Sequence, residues 1–207
     1  GDYDQDGDDD LLLVGEILEN DFSSRIARIY ENTGGVFGLD SVASQELAGS
    51  YRGDAAWGDY DSDGYPDIAL VGWNSDDEEI LFLYRNSDDG DARRLGYDTR
   101  QNVLQGFRYA RLAWADYDGD GDIDLIVAGM SVNGNSQTRL YQNDESLLIE
   151  DDINSDVVIG VHNGDIAWAD YDNDGDYDLT ISGDNVSYAG GGIVPEIKFY
   201  KTIPLVV

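Results

Sequence analysis

Apolar residues gather in four short, unbroken runs, each closed by glycine: LLLVG at 11–15, IALVG at 68–72, LIVAG at 125–129 and LTISG at 179–183. A half-exposed strand would alternate apolar and polar residues with period two, so the runs predict strands covered on both faces. Helix is disfavoured, because the runs are short, rich in β-branched residues and bounded by an acidic turn and a glycine. Upstream, GDAAWGDYD, RLAWADYD and GDIAWADYD carry Trp57, Trp114 and Trp168 and predict the first strand of a unit. Downstream, IARIYEN, ILFLYRN, TRLYQN and IKFYKT carry Tyr30, Tyr84, Tyr141 and Tyr200 and predict a third strand. Tyrosines at matched positions of a repeat are expected to pack neighbouring units together rather than to form a stacking ladder for sugar rings. The stretches around SVASQELAG and TRQNVLQG are expected to supply a fourth, outer strand.

Each apolar run is preceded by nearly the same acidic phrase: DYDQDGDDD, DYDSDGYPD, DYDGDGDID and DYDNDGDYD. Aspartate at loop positions one, three, five and nine gathers carboxylates around one point, while glycine at six permits the sharp turn that offers the carbonyl of position seven. The expected ligands of the first loop are Asp2, Asp4, Asp6 and Asp10 with the carbonyl of Asp8; those of the second are Asp59, Asp61, Asp63 and Asp67 with the carbonyl of Tyr65. The third set is Asp116, Asp118, Asp120 and Asp124 with Asp122, and the fourth Asp170, Asp172, Asp174 and Asp178 with Asp176. A hard, all-oxygen, anionic set without histidine or cysteine suits calcium, about one ion per loop, better than zinc, copper, iron or six-coordinate magnesium. An EF-hand is ruled out because position twelve, where that loop needs a bidentate glutamate, is Leu13, Leu70, Val127 and Ile181.

The first aspartates stand at 2, 59, 116 and 170, giving a spacing of 57, 57 and 54 residues. That period belongs to a supersecondary unit. Four strands recurring at just over fifty residues predict an all-β chain, a β-propeller built of four-stranded antiparallel blades that hide one another's faces by radial stacking. The units run approximately over 1–50, 51–106, 107–160 and 161–207 of a single propeller segment. With its DxDxDGxxD loop and following D[LI]xxxG strand, the chain resembles the FG-GAP and VCBS repeat family, the calcium-loop β-propellers of integrin α-subunit heads and many secreted bacterial proteins. Ala-Trp replaces the Phe-Gly and Gly-Ala-Pro signatures of the integrin version, which places the resemblance nearer the VCBS branch. The resemblance implies a ring of about seven blades, of which four units would be about half. Two other closures stay open: pairing of residues 203–207 with the first unit's edge in a four-bladed ring, or head-to-tail pairing between molecules in a fibre.

Composition narrows the function. A net charge of −32, only partly offset to −24 by four divalent ions, repels nucleic acid and anionic lipid. No run approaches membrane-spanning length, and the absence of cysteine leaves calcium in the role that disulfides fill elsewhere. Weak calcium modules work where calcium is millimolar, so an extracellular or cell-surface location follows. The only histidine, His162, stands without a visible nucleophile beside it and is expected to pack, which argues against an enzyme. Arg52-Gly53-Asp54 is read as a local turn rather than an adhesion tripeptide, since Gly-Asp recurs at Gly164-Asp165; Asn185-Val186-Ser187 is the one glycosylation sequon. The expected function is a non-catalytic, calcium-stabilised module for adhesion or for binding a protein or glycan. The alternatives are a subunit of a surface fibre joined through open strands and a carbohydrate-binding accessory of a secreted polysaccharide-degrading enzyme.

Overall fold

The computed structural model describes residues 1–19, 22–88, 93–101, 104–186 and 193–201. The first unit contributes β1 (Leu11–Glu19), β2 (Phe22–Thr33), β3 (Val36–Asp40) and the short helix α1 (Ser41–Glu46). The second holds β4 (Ser50–Gly58), β5 (Asp67–Asn74), β6 (Glu79–Asp88) and β7 (Arg93–Tyr97), and the third β8 (Arg108–Ala115), β9 (Asp124–Met130), β10 (Ser136–Asp144) and β11 (Leu147–Glu150). Helix α2 (Asp152–Val157) leads into β12 (His162–Ala169), β13 (Asp178–Asn185) and β14 (Val194–Tyr200). Every pairing is antiparallel between neighbours, and one bridge, Ile26 to Ser50, ties the first sheet to the second. The molecule is therefore an all-β array of meandering sheets, consistent with part of a propeller.

Alternate residues of one apolar run serve two interfaces. On β5, Ile68 and Leu70 pack with Tyr3, Ile29 and Leu47 of the first unit, while Ala69 and Val71 pack with Phe107, Leu112 and Leu125 of the third. On β9, Leu125 and Val127 face the second unit, while Ile126 and Ala128 join Val161, Ile166 and Leu179 of the fourth. These runs are covered on both faces, as their lack of alternation predicts. The outer runs differ: Leu11 and Leu13 on β1 are 44% and 43% exposed. On β13, Thr180 and Ser182 are only half-buried beside the fully buried Leu179 and Ile181. Each of these strands is covered on one face among the described residues.

The fourth strand is not where the sequence places it. SVASQELAG forms α1, with Asp40 as N-cap accepting from the Val42 and Ala43 amides, and the outer strand is the preceding VFGLD of β3. An aspartate cap satisfies the free amides of a first turn, and that local gain outweighs the strand reading of a segment without β-branched periodicity. In the second and third units the outer strands are β7 and β11, again one segment upstream, while the fourth unit shows three strands, β12, β13 and β14, among the described residues; of TRQNVLQG, residues 102 and 103 lie outside the described residues. Also outside them lie residues 203–207 and Ser187 of the sequon.

A bulge recurs in each first strand, at Tyr51/Asp54, Arg108/Arg111 and His162/Asp165. Its central residue, Arg52, Tyr109 or Asn163, takes a left-handed φ of 53°, 52° or 52°. After it, a Cβ on Gly53 would lie 1.9 Å from the Val71 carbonyl oxygen, and one on Gly164 1.7 Å from that of Ser182. The Arg52-Gly53-Asp54 tripeptide is thus part of a repeated strand bulge. Its Asp54 carboxyl accepts from the Leu112 and Ala55 amides at 3.3 and 3.0 Å, and burial raises its pKa.

Candidate metal centres

The first, second and fourth acidic loops share one hydrogen-bond scheme, in which the position-one carboxylate accepts from the amides of positions five and six: Asp59 takes Asp63 and Gly64 at 3.1 and 2.9 Å, and Asp170 takes Asp174 and Gly175, both at 3.1 Å. In the third loop Asp116 accepts from Gly119 and Gly121 at 2.8 and 3.1 Å, and the Asp120 amide turns to Asp118 at 3.2 Å. The glycines at position six sit at φ between 91° and 102°, a left-handed conformation that a side chain would strain. Position five accepts from the amide of position seven, as in Tyr65 to Asp63 at 3.0 Å and Asp122 to Asp120 at 2.9 Å.

Position nine ties the loop to the rest of its sheet. Asp67 accepts from the Tyr60 amide at 3.1 Å and the Asn86 amide at 2.7 Å; Asp124 accepts from Tyr117 at 3.0 Å and Asn143 at 2.8 Å. Asp10 receives Tyr3 and Asn32 in the same way, and Asp178 receives Tyr171. Burial, only partly offset by these amides, pushes Asp67 up to about 8 and Asp124 up to about 7.

Carboxylate oxygens converge in each loop to within 4.8 Å of one another: Asp59, Asp61 and Asp67; Asp116, Asp118 and Asp124; Asp170, Asp172 and Asp178; and, in the first loop, Asp2, Asp4 and Asp6. Positions one, three and nine therefore come together in three loops. Positions five there, Asp63, Asp120 and Asp174, stand outside the triads, as does Asp10 in the first loop; Asp8, Tyr65, Asp122 and Asp176 each direct their amide to position five. Three carboxylates so close repel one another by about 1 to 3.5 kcal/mol per pair, depending on screening, unless a cation sits among them. The decisive atom is Asp61 Oδ1. That side chain is only 3% exposed, and the oxygen has no hydrogen-bond partner. A buried, unpartnered carboxylate oxygen beside two more carboxylates is the donor chemistry of a hard-cation site.

Cationic and amide side chains reach the loops from the third strand or, in the fourth unit, from the residue just after it. Arg85 bonds Asp61 and lies 3.1 Å from Asp63; Gln142 donates to Asp118 at 3.1 Å; Lys201 bonds Asp172 and lies 3.7 Å from Asp174.

Several residues that join the loops to neighbouring units escaped the sequence reading. The tyrosine at position two stacks on the tryptophan of the next unit: Tyr3 on Trp57, Tyr60 on Trp114 and Tyr117 on Trp168, with centroids 5.8, 6.2 and 5.9 Å apart. Their hydroxyls donate to Asp40, Asp98 and Asp151, at the ends of the outer strands. In the second and third units the asparagine two residues after the third-strand tyrosine reaches back a unit, Asn86 to the Tyr3 carbonyl at 2.8 Å and Asn143 to that of Tyr60 at 2.7 Å. Ser44 and Ser155 each accept from a third-strand amide, Ile29 and Leu140, at 2.9 Å. The only available signal was recurrence of these polar residues at matched places in the repeat.

The third-strand tyrosines themselves pack. Tyr84, Tyr141 and Tyr200 accept from the amides of Ala48, Gln105 and Ile159 at 2.8, 3.2 and 2.8 Å, and Tyr84 and Tyr141 are fully buried, away from any glycan. His162 is buried too. Its Nδ1 lies 2.9 Å from Ser136 Oγ, a hydroxyl also engaged by the Val186 amide and the Asp184 carbonyl, so this serine and histidine are bound into the fold.

Sequence comparison matches this chain to the FG-GAP-like repeat over residues 2–70, 59–127 and 116–181. The chain belongs to the FG-GAP-like repeat family. Each match begins at the first aspartate of one loop and ends in the apolar strand behind the next, so the family's unit of similarity spans the very joint that stacks Tyr60 on Trp114. The match does not separate out the VCBS branch. Comparison with curated proteins returned no match.

Proposed function

We propose that this FG-GAP-like array is a calcium-stabilised, non-enzymatic propeller module that works outside the cell, presenting a protein- or glycan-binding surface. The observation that carries the reading is the buried, unpartnered Asp61 Oδ1 within a triad of positions one, three and nine that recurs in three loops, with a related acidic cluster in the first. Bound calcium would neutralise the clustered carboxylates. Asp59, Asp61 and Asp67 and their counterparts would hold it, while Gly64 and the position-one amide bonds keep the turn in shape. Occupancy then adds to stability by mass action. The buried His162–Ser136 pair favours the non-catalytic reading, and among the described residues no helix is long and apolar enough to cross a membrane.

The outward apolar residues Leu11 and Leu13 at one end of the array, and Ile197 and Phe199 at the other, support further blades in a ring of about seven. The same faces favour a second reading, assembly of copies end to end. Electron microscopy of the purified protein separates closed particles from filaments. Thermal unfolding in calcium, in magnesium and with chelator tests the metal reading: a midpoint that rises with calcium supports it, and one unmoved at every calcium level overturns it.

A further inference from the structure

The four loops do not carry equal electrostatics, although their aspartates recur at the same positions of the repeat. Antiparallel register fixes the comparison: Tyr30, Tyr84, Tyr141 and Tyr200 pair with Leu11, Ile68, Leu125 and Leu179, the first apolar residue of each run. The residue that follows the tyrosine is therefore equivalent in all four units. It is Glu31, Arg85, Gln142 and Lys201. In three units the structure shows this side chain on the position-three aspartate of its own loop: Arg85 on Asp61, Gln142 on Asp118, Lys201 on Asp172. Arg85 also spans to Asp63 at 3.1 Å, and Arg100 lies 3.9 Å from Asp61. Lys201 similarly approaches Asp174.

We propose that the residue following the third-strand tyrosine sets the divalent-cation affinity of each loop, so that the loops fill in two classes. The first and third loops, with Glu31 and Gln142, fill first. The second and fourth, where Arg85 and Lys201 act as built-in counter-ions, fill at higher concentration. The inference rests on the reading of the loops as cation sites. Its physical basis is that a fixed ammonium or guanidinium on a ligand carboxylate repels the incoming ion and competes for the oxygen. One positive charge roughly 6 Å from a divalent ion weakens binding by about tenfold even with the screening of bulk water, and by more in a partly buried loop. Arg85 holds Asp61 through one oxygen and leaves the other, Oδ1, buried and unpartnered, so the second site is weakened without being closed.

Calcium titration of the chelator-stripped chain by calorimetry at low ionic strength tests this. Two tight and two weak sites are expected, the classes separated by about tenfold or more. Arg85→Gln should convert the pattern to three tight and one weak, and Arg85→Gln with Lys201→Gln to four tight sites. Gln142→Arg is the converse variant, which should leave one tight and three weak sites while preserving the loop aspartates. Four indistinguishable sites in the unaltered chain, or a class distribution that ignores these substitutions, overturns the inference and leaves the calcium reading standing. An absence of calcium binding at every loop overturns both.

Discussion

Replacing Asn143 tests whether the joints between units, rather than the sheets alone, carry the stability of the array. Its side chain is 2% exposed and donates to the Tyr60 carbonyl at 2.7 Å and the Ile123 carbonyl at 3.1 Å. Asn143→Ala leaves both acceptors buried without a donor, at about 1 to 3 kcal/mol each. Part of that is recovered, because the substitution also removes Oδ1, which is itself buried without a partner. A net loss of about 2 to 3 kcal/mol is expected, or roughly 4 to 12 °C in the unfolding midpoint of a chain this size. Asn32→Ala is the matched control. Asn32 occupies the same repeat position but is half-exposed, donating to the Asp9 carbonyl and accepting from the Gly35 amide at the surface, so its change should stay within about 1 kcal/mol. Circular-dichroism melts in saturating calcium read both. Equal shifts in the two variants, or none in Asn143→Ala, would refute the idea that back-reaching asparagines staple one unit to the last.

Gly53→Ala should destabilise by about 1 to 3 kcal/mol in denaturant melts, because its Cβ would meet the Val71 carbonyl, whereas the third unit carries Ala110 at the equivalent place; an unchanged midpoint would mean that the bulge can relax to that unit's shape. In the metal-free chain Asp67 and Asp124 are raised to about 8 and about 7 from an unfolded value near 4. A raised carboxyl contributes stability that is complete below the unfolded pKa and is lost as pH climbs through the folded one. The stripped protein should thus lose stability from about pH 4 to 8, and calcium, which needs the ionised forms, should expel about one to one and a half protons on binding at pH 7 and almost none at pH 9. Calorimetry in buffers of different ionisation enthalpy measures this, and no proton release at pH 7 would contradict it.

Much of the architecture was written in local pattern. Period and residue type were enough for the loops, for β5 and β9 with both faces covered, and for the tryptophan and tyrosine strands, because each of these depends on a short segment and its repetition. The misplacement of the outer strand has a local cause as well. VFGLD, with an internal glycine and exposed Val36 and Phe37, looks weaker as a strand than SVASQELAG, whose six-residue helix is too short to show a helical period and is settled by the Asp40 cap. What the sequence could not show is long-range pairing. Nothing near Asp98 or Asp151 marks it as the acceptor of a tyrosine hydroxyl more than thirty residues away, and nothing near His162 marks Ser136 as its neighbour.

Those long-range pairs share a direction. In the first two loops the position-two tyrosine stacks forward on the next unit's tryptophan and its carbonyl receives the next unit's asparagine, while the same tyrosine's amide is held by the position-nine aspartate of the loop. A cation gathered by positions one, three and nine therefore bears on a residue whose ring and carbonyl belong to the joint with the following unit. In a one-dimensional array, where stability is the sum of units and nearest-neighbour interfaces, such a ligand adds to the interface term as well as to the unit. Occupancy of a loop should then firm the joint ahead of it, between Tyr60 and Trp114 for the second loop, more than the joint behind. Graded loop affinities along the chain would thereby become graded interface stabilities.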